Sequence, residues 1–415
     1  MKSRAWISIT QCVLFAALAL TIMFVLTPSA EAQTYRVIYN FTGGQGGRQP
    51  EAGLTIDHAG RLYGTTLLGG NTGGSCGANG CGTVFRLEPQ GSGWVFTPLY
   101  NFQGGTDGSS PYARVIFGPD GGLYGTTAGG GTNGLGTVFN LRPSATFCRS
   151  VPCPWTETII HSFGGADGTQ PQAEVVFDQA GNMYGTTVLG GALGQGSVYE
   201  LTRSGGAWTE HVLYSFMGGS SDGANPVSGV TFDQSGNLWG TTLVGGRTYG
   251  TVYQLAPSGG GWQETFLHKF SYVVDGAYPQ GGLVLDSGDL YGTTERGALL
   301  HGYFGGTLFQ IRHLIGGWIL STQCVFEGTD YNRDVGSEAS LAIGPDGNLY
   351  GTTIKYSNGL GSVFGSGCRS VHDFTGGAGG ANPVSNVVFG SNGHLYGTTT
   401  AGGADGGGVV WEITP

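Results

Sequence analysis

Charge is scarce in this sequence, and lysine is almost absent from it. Charged residues make up 11% of the 415 residues, and Lys269 and Lys355 are the only lysines beyond Lys2. The formal net charge is −10, and basic residues form no cluster. Such a chain offers little to a phosphate backbone or an anionic lipid surface. We therefore expect no nucleic-acid partner.

Long apolar runs are missing after the N-terminus, so no later segment is expected to span a membrane. Residues 1–32 match a signal peptide: Lys2 and Arg4 precede an apolar stretch, and Ala30-Glu31-Ala32 fits an A-x-A cleavage site. A retained N-terminal anchor is the alternative, because the apolar stretch is long. We expect export to the periplasm, the cell surface or the medium, with residues 33–415 forming one domain.

Sequence signatures of common enzyme and cofactor sites are also lacking. No G-x-S-x-G, H-E-x-x-H, Walker A or Rossmann fingerprint stands out, and no helix follows the many Gly-Gly pairs to present a phosphate site. We therefore expect no cofactor. Acidic pairs for glycoside hydrolysis stay open, because such pairs need proximity in space and not in sequence.

Glycine is abundant instead, with 83 residues and no collagen-like period. The tetrapeptide Tyr/Trp-Gly-Thr-Thr occurs seven times and defines a repeat. Its copies begin at Tyr63, Tyr124, Tyr184, Trp239, Tyr291, Tyr350 and Tyr396. A short apolar segment precedes each copy, a Gly-Thr-Val-Phe-like segment follows it, and in five units a further segment runs from a Trp to a Phe eight residues later. This pattern predicts four short strands per unit.

Seven units of four antiparallel strands predict an all-β fold, a seven-bladed β-propeller. No segment has the 3.6-residue apolar period of a helical solenoid, and a parallel β-helix, the next alternative, uses shorter rungs. The seventh unit ends after its third strand, whereas residues 35–41 match the fourth-strand pattern of the other units. We predict that this N-terminal strand completes the last blade and closes the ring.

The glycine of each tetrapeptide weakens a strand and so needs a reason. An aromatic residue occupies the same place of the third strand in every unit: Phe85, Phe139, Tyr199, Tyr253, Phe309, Phe364 and Trp411. We expect this ring to pack over the bare glycine backbone, with close approach between blades as the alternative. Both interpretations make the tetrapeptide architecture rather than an active site.

The string D-x-x-G-N-L-Y-G-T-T-x-x-G-G followed by G-T-V-F-x-L resembles the GloVer (Gloeo/Verruco) tandem repeat of exported bacterial proteins. The resemblance covers about residues 35–415, and it implies an exported repeat protein. The family has no established catalytic residues, so none is transferred. Its members are described as choice-of-anchor proteins, with a variable sorting signal after the repeats. Here the sequence ends within the last blade, which puts a C-terminal anchor in doubt.

Six cysteines follow the signal peptide, an even number that favours disulfides in an oxidising compartment. The predicted pairs are Cys76–Cys81 and Cys148–Cys153. A zinc site made from these two C-x4-C pairs is the alternative. Cys324 and Cys368 lie on outer strands of neighbouring units, and their pairing stays open.

Two polar positions that recur in several units carry residue types that can bind a metal ion. An Asp precedes the unit-start Pro by four residues at Asp107, Asp167, Asp222 and Asp275. A ring of carboxylates suits Ca²⁺, but three units lack the Asp, and we favour Asp-Gly turns that cap local N–H groups. Three histidines share one fourth-strand place: His161, His268 and His372. Equivalent places in different blades are too far apart to share one ion, so we interpret these histidines as half-exposed outer-strand residues and predict no metal.

Departures from the repeat indicate where a ligand binds, because the shared positions serve the scaffold. Polar departures concentrate in units four to six, in the loops after the tetrapeptide and in the links between units. These loops and links are expected to share one face of the propeller, which we call the top face. The predicted ligand-binding residues are Arg247, Glu295, Arg296, Asp330, Arg333, Asp334, Lys355 and Tyr356. Their mixed charges suit hydrogen-bonded recognition of a polar ligand.

The function expected from these features is non-enzymatic binding of a glycan or a protein partner by a monomer. One alternative is an extracellular polysaccharide hydrolase or lyase that uses the top face. A second alternative is a structural cell-surface repeat protein. Carboxylates with shifted pKa values at the channel mouth would favour the enzyme, whereas a flat aromatic rim would favour binding.

Overall fold

The structure, a computed structural model, describes residues 33–144, 155–246, 248–300, 303–326, 336–354 and 359–414. Within these ranges the chain forms strands and short 3-10 turns, and no helix that could cross a membrane. The strands build seven four-stranded antiparallel sheets in a ring. The fold is therefore the predicted seven-bladed β-propeller. The predicted signal peptide (1–32) and the Cys148–Cys153 pair lie outside the described residues.

The two inner strands of each blade are short. The first strands, nearest the axis, are Thr55–Ile56, Ile116–Phe117, Val176–Phe177, Thr231–Phe232, Val284–Asp286, Ala342–Ile343 and Val388–Phe389. The second strands, which contain the tetrapeptide, are Leu62–Thr66, Leu123–Thr127, Met183–Thr187, Leu238–Thr242, Asp289–Thr293, Leu349–Thr353 and Leu395–Thr399. Short first strands leave the residues just before them free to face the axis.

The two outer strands form the long ladder of most blades. The third strands are Thr83–Gln90, Thr137–Pro143, Ser197–Ser204, Thr251–Ser258, Thr307–Leu314, Ser362–Phe364 and Val409–Thr414. The fourth strands of blades one to six are Gly93–Asn101, Trp155–Ser162, Ala207–Ser215, Gly261–Lys269, Gly317–Val325 and Ser370–Asp373. Their register shifts next to the third-strand aromatic in every blade. Such a bulge bends the outer strand and re-aims the side chains beyond it.

The third-strand aromatic packs on the tetrapeptide glycine, as predicted. A Cβ atom on Gly64 would lie 2.6 Å from Cζ of Phe85, and one on Gly397 would lie 2.3 Å from Cζ2 of Trp411. The same close contact occurs at Gly125, Gly185, Gly240, Gly292 and Gly351. No side chain fits between strand and ring, so glycine is required at this place.

The same aromatic also contacts the neighbouring blade. The buried Phe that closes each fourth strand meets the third-strand aromatic of the next blade, as in Phe102–Phe139, whose ring centroids are 5.2 Å apart. The contact recurs at all seven junctions, with Phe41–Phe85 and Phe374–Trp411 across the two junctions of the closing blade. A continuous belt of buried aromatic pairs therefore runs around the ring.

The N-terminal strand closes the seventh blade, as predicted. Thr34–Asn40 pairs antiparallel with Val409–Thr414, and the resulting sheet has the same four-stranded order as the other blades. Arg36 forms an ion pair with Glu412. The Tyr35 hydroxyl donates to the Gly379 carbonyl oxygen at 2.6 Å, which ties the closing strand to the link between blades six and seven.

Two disulfides lie within the described residues. Cys76 bonds to Cys81 inside one loop, which confirms that prediction. Cys324, on the fourth strand of blade five, bonds to Cys368, just before the fourth strand of blade six. Their Cα atoms are 6.3 Å apart, so neighbouring blades approach closely enough at the rim for a covalent link.

Deleting residues 34–41 is expected to destabilise the propeller strongly. The deletion leaves Val409–Thr414 as an open edge and removes Phe41, which is fully buried. Loss of one buried Phe alone costs about 3–5 kcal/mol, so the whole strand should contribute more. Thermal melts of residues 33–415 and of the deletion variant measure this difference, and a synthetic peptide of residues 33–41 should restore part of it. Equal melting temperatures would show that the strand is dispensable.

The two described disulfides should differ in the stability that they confer. Cys324–Cys368 closes a sequence separation of 44 residues and Cys76–Cys81 one of 5, which corresponds to about 4 and about 2 kcal/mol of loop entropy. Denaturant unfolding of the Cys324→Ser/Cys368→Ser and Cys76→Ser/Cys81→Ser variants compares them. Non-reducing peptide mapping of the native protein checks both bonds and the predicted Cys148–Cys153 bond. Free thiols at Cys324 and Cys368 would contradict the link between blades.

Candidate functional site

An axial channel is lined by the same short segment from every unit. In six units this segment follows a Pro, and in the sixth unit it follows Ser337. All seven segments line one cavity of about 110 Å³. That space admits water, but it is well below the ~300–1,000 Å³ of typical ligand pockets. A larger ligand must therefore lie across the mouth of the channel.

The first residue of each segment lies nearest the top face, because the chain enters the first strand from that side. These residues are Glu51, Tyr112, Gln172, Val227, Gln280, Glu338 and Val384. The third residues that line the cavity, deeper in the channel, are Gly53, Arg114, Glu174, Gly229, Ser340 and Asn386. The backbone repeats sevenfold here, but the side chains do not. The channel is therefore chemically asymmetric.

Glu295 and Arg296 lie at this mouth, on the loop after the tetrapeptide of unit five. The Glu295 carboxylate accepts a hydrogen bond from Nε2 of the channel residue Gln280 at 2.7 Å and another from Nε of Arg296 at 2.7 Å. The Arg296 guanidinium stands 5.9 Å from the ring centroid of Tyr278. The Ala277 N–H donates to the Arg296 carbonyl oxygen, so loop and link share one face as expected.

Glu338, from the next unit, completes an acidic cluster with these residues. Burial raises the pKa of Glu338 to about 7, and the Glu295 and Glu51 carboxylates add to the shift, whereas Gln280 and Arg296 oppose it. Burial also raises the pKa of Glu51. The mouth therefore holds a carboxyl group that both donates and accepts hydrogen bonds near neutral pH.

One ion pair lies deeper in the channel. Nη2 of Arg114 is 3.4 Å from Oε1 of Glu174, and both side chains are half-buried. Among the described residues the channel and its mouth thus contain four carboxyl groups, from Glu51, Glu174, Glu295 and Glu338, against two guanidinium groups. The local charge is negative when all of these groups are ionised.

The other six residues predicted from sequence lie outside the described residues. They are Arg247, Asp330, Arg333, Asp334, Lys355 and Tyr356. The flanking backbone is placed: a Cβ atom on Gly336 would lie 1.9 Å from the Glu295 carbonyl oxygen, and the Ile354 N–H donates to the Gly336 carbonyl oxygen at 3.0 Å. The end of the enlarged link therefore contacts Glu295, and the start of the unit-six loop contacts the end of that link.

Sequence reasoning missed the channel residues themselves. The predicted ligand-binding residues do not include Glu51, Tyr112, Gln280 or Glu338. The available signal was positional: each follows the unit-start Pro or its equivalent. In a ring of repeats, residues at the same position of each unit lie together around the axis, so this position could have been identified as channel-lining.

The chain is similar to known proteins in sequence and in structure. The model of the Gloeobacter/Verrucomicrobia repeat matches residues 21–152 and 149–333. An ulvan lyase, a polysaccharide lyase solved with a bound saccharide, has a TM-score of 0.51 and 13% identity over 90% of this chain and 94% of its own. A candidate gluconolactonase has a TM-score of 0.39 and 12% identity over 94% of both chains. A candidate 6-phosphogluconolactonase from Bacteroides uniformis has a TM-score of 0.43 and 14% identity over 76% of this chain and 80% of its own. No curated protein matches the sequence.

Glu338→Gln is expected to stabilise the protein at alkaline pH. The pKa of Glu338 rises from 4.5 to about 7 on folding, so the folded protein holds this proton more tightly than the unfolded chain does. The protonated side chain therefore favours the folded state fully below about pH 4.5, and this advantage is lost as the pH rises through about 7. Glutamine stays neutral, so the variant should melt higher than the native protein near pH 8.5 and about equally near pH 5. Glu88→Gln, at an exposed carboxylate, is the control. A Glu338→Gln variant that melts lower at both pH values would contradict the assignment.

Proposed function

This chain belongs to the Gloeobacter/Verrucomicrobia repeat family, and from that premise we propose that it binds a neutral glycan across the top mouth of its axial channel. The observation that carries the proposal is the hydrogen bond between Glu295, which departs from the repeat, and Gln280, which lines the channel. It joins a loop and the axis in one polar site. Nothing in the scaffold requires this contact.

The side chains at the mouth suit hydroxyl groups, which both donate and accept hydrogen bonds. Gln280 offers an amide, and Glu338 offers a carboxyl group with a pKa of about 7, so both can serve either role. Tyr112, which is 36% exposed, adds an aromatic face at the same ring of positions. A polyhydroxylated ligand fits this combination.

Charge argues for a neutral ligand rather than a polyanion. Among the described residues of the channel and its mouth, the carboxylates of Glu51, Glu174 and Glu295 outnumber the two guanidinium groups even when Glu338 is protonated. This excess of negative charge repels sulfated or uronate-rich chains. The cavity of about 110 Å³ also favours a ligand that rests on the mouth, with one group directed into the channel. The glycan is therefore expected to cover the top face around the axis.

Export is part of the proposal. The disulfides Cys76–Cys81 and Cys324–Cys368 support it, because such bonds persist in oxidising compartments. The signal peptide proposed for residues 1–32 agrees with them. The protein would meet its glycan in the periplasm, at the cell surface or in the medium.

A second candidate function is cleavage of the bound glycan. Acid–base catalysis near neutral pH needs a carboxyl group with a raised pKa, and Glu338 has one at about 7. Glu295 supplies a neighbouring carboxylate. Glu338 would protonate the glycosidic oxygen as its bond to the anomeric carbon breaks. Glu295 would either deprotonate the water that attacks this carbon or attack the carbon itself, and in the second case water would then hydrolyse the glycosyl–enzyme ester.

A glycan array followed by calorimetry with residues 33–415 tests the binding site. Gln280→Ala and Tyr112→Ala should weaken the glycan affinity at least tenfold without lowering the melting temperature, whereas Gln263→Ala, on the exposed outer strand, should leave it unchanged. Unaltered affinity in both channel variants, or a preference for sulfated chains, would refute the proposed site.

Product analysis of the bound glycan separates the two functions. New reducing ends that disappear in Glu338→Gln, while binding is retained, would establish the enzyme. Binding without any product from the native protein would establish the binding function alone.

A further inference from the structure

Two outer-strand positions recur at every junction between blades, one from each of the two neighbouring blades. One lies two residues before the closing Phe of a blade, and the other lies six residues before the closing Phe of the next blade. We call them rim pairs. The seven rim pairs are Tyr39–Phe96, Tyr100–Glu157, His161–Glu210, Tyr214–Glu264, His268–Leu320, Cys324–Cys368 and His372–Tyr35.

Three rim pairs demonstrate direct contact between the two positions. Tyr39 stacks on Phe96 with ring centroids 4.3 Å apart, and His372 stacks on Tyr35 at 3.8 Å. Cys324 and Cys368 form the disulfide between blades five and six. The rim pair therefore clamps neighbouring blades, and its chemistry varies from junction to junction.

An Asp of the link joins the rim pair at four consecutive junctions. Asp167 Oδ2 lies 2.8 Å from Nε2 of His161, and Asp275 Oδ2 lies 2.7 Å from Nε2 of His268. The tyrosines at the same place, Tyr100 and Tyr214, donate to Asp107 and Asp222. Rim pair and link thus form a three-residue cluster.

The junction between blades two and three differs from its neighbours. Among the described residues, His161, Asp167 and Glu210 are the one group of three metal-ligating side chains whose ligand atoms all lie within 4.8 Å of one another. The junctions on either side have Tyr in place of His161, and the junction between blades four and five has Leu320 in place of the Glu. Among the described residues, the imidazole of His161 and the carboxylates of Asp167 and Glu210 therefore come together only at the junction between blades two and three.

The Oε1 atom of Glu210 is shielded from solvent and has no hydrogen-bond partner among the described residues, and the same holds for Glu157 and Glu264 at the neighbouring junctions. The Asp167 carboxylate lies beside Glu210, and only this one of the three junctions adds an imidazole, from His161. The hydroxyl of Tyr199, a fully buried residue whose pKa is raised by burial and by the Glu210 charge, also has no partner there. A cation would relieve the repulsion between the two carboxylates.

We propose that His161, Asp167 and Glu210 bind a divalent transition-metal ion of the zinc type, which clamps blade two to blade three. Bonds of about 2.0–2.2 Å to N and O ligands place the ligand atoms of a tetrahedral site about 3.3 Å apart. The present separations, from 2.8 Å for His161–Asp167 to at most 4.8 Å within the group, bracket that value. The exposed fractions of the His161 and Asp167 side chains, 21% and 19%, leave room for water as the fourth ligand.

This site departs from the expectation of no metal. That expectation compared equivalent residues of different blades, such as His161, His268 and His372, which do not meet. The ligands proposed here occupy different positions of adjacent units, and Glu210 follows His161 by nearly one repeat. Only the contact between blades brings them together.

Metal titration of the untagged protein tests the site. Residues 33–415, stripped with a chelator, should bind one equivalent of Zn²⁺ or Co²⁺, with the visible d–d absorption of Co²⁺ at low coordination number and a rise in melting temperature. His161→Tyr, which copies the neighbouring junctions, and Glu210→Gln should each weaken binding at least tenfold. His268→Tyr is the matched control and should bind as the native protein does.

A gain-of-site variant makes the test independent of damage to the fold. Tyr214→His gives the junction of Asp222 and Glu264 the same three ligands and should raise the stoichiometry to two. Absence of Zn²⁺ and Co²⁺ binding by the native protein, or unchanged binding by His161→Tyr, overturns the proposal. Binding of Ca²⁺ in preference to both metals overturns it too, because an imidazole ligand would then have no role.

Discussion

One aromatic side chain in each blade makes two contacts on which the ring depends. It covers the glycine of its own second strand, as Phe139 covers Gly125, and it receives the closing Phe of the preceding blade, as Phe139 receives Phe102. The first contact holds the blade together, and the second joins it to its neighbour. Because the same aromatic ring makes both contacts, a larger residue in place of the glycine would displace the ring and disturb the junction with the preceding blade. The glycine is therefore the same in all seven tetrapeptides.

Residues that take no part in this aromatic–glycine packing vary between units, and they lie in two rings, one at the axis and one at the rim. At the axis the backbone needs only a small second residue, so the first residue varies from Glu338 to Tyr112. At the rim the bulged fourth strand presents side chains to the next blade, and stacking, a disulfide and Asp–His contacts all fit there. Both variable rings carry carboxyl groups with raised pKa values, such as Glu338 and Glu157.

The architecture was predictable from sequence because its determinants repeat along the chain. The glycine–aromatic contact and the closing strand follow from patterns that occur in every unit. Cys324–Cys368 was not predictable, because the bond depends on how far neighbouring blades splay and because unit six has Ser366 where five units have Trp. Glu295 and Arg296 stand out in the sequence because they replace apolar or small repeat residues of the loop. Glu51 and Gln280 are ordinary polar residues of the sequence, and only the sevenfold arrangement brings them to one axis.

The buried carboxyl groups at the axis and the rim are not required by the fold, because other units have apolar residues at the same positions. Glu338 has its pKa raised to about 7 by burial among other carboxylates, a state that weakens the fold wherever the group ionises. Val227 and Val384 occupy the same ring position, so the fold accepts an apolar residue there. Valine at this position is enough for the fold, whereas the carboxyl group lowers its stability when ionised. A residue of that kind is typical of a position kept for a ligand. The same reasoning applies at the rim, where Leu320 occupies the place of Glu210 at another junction.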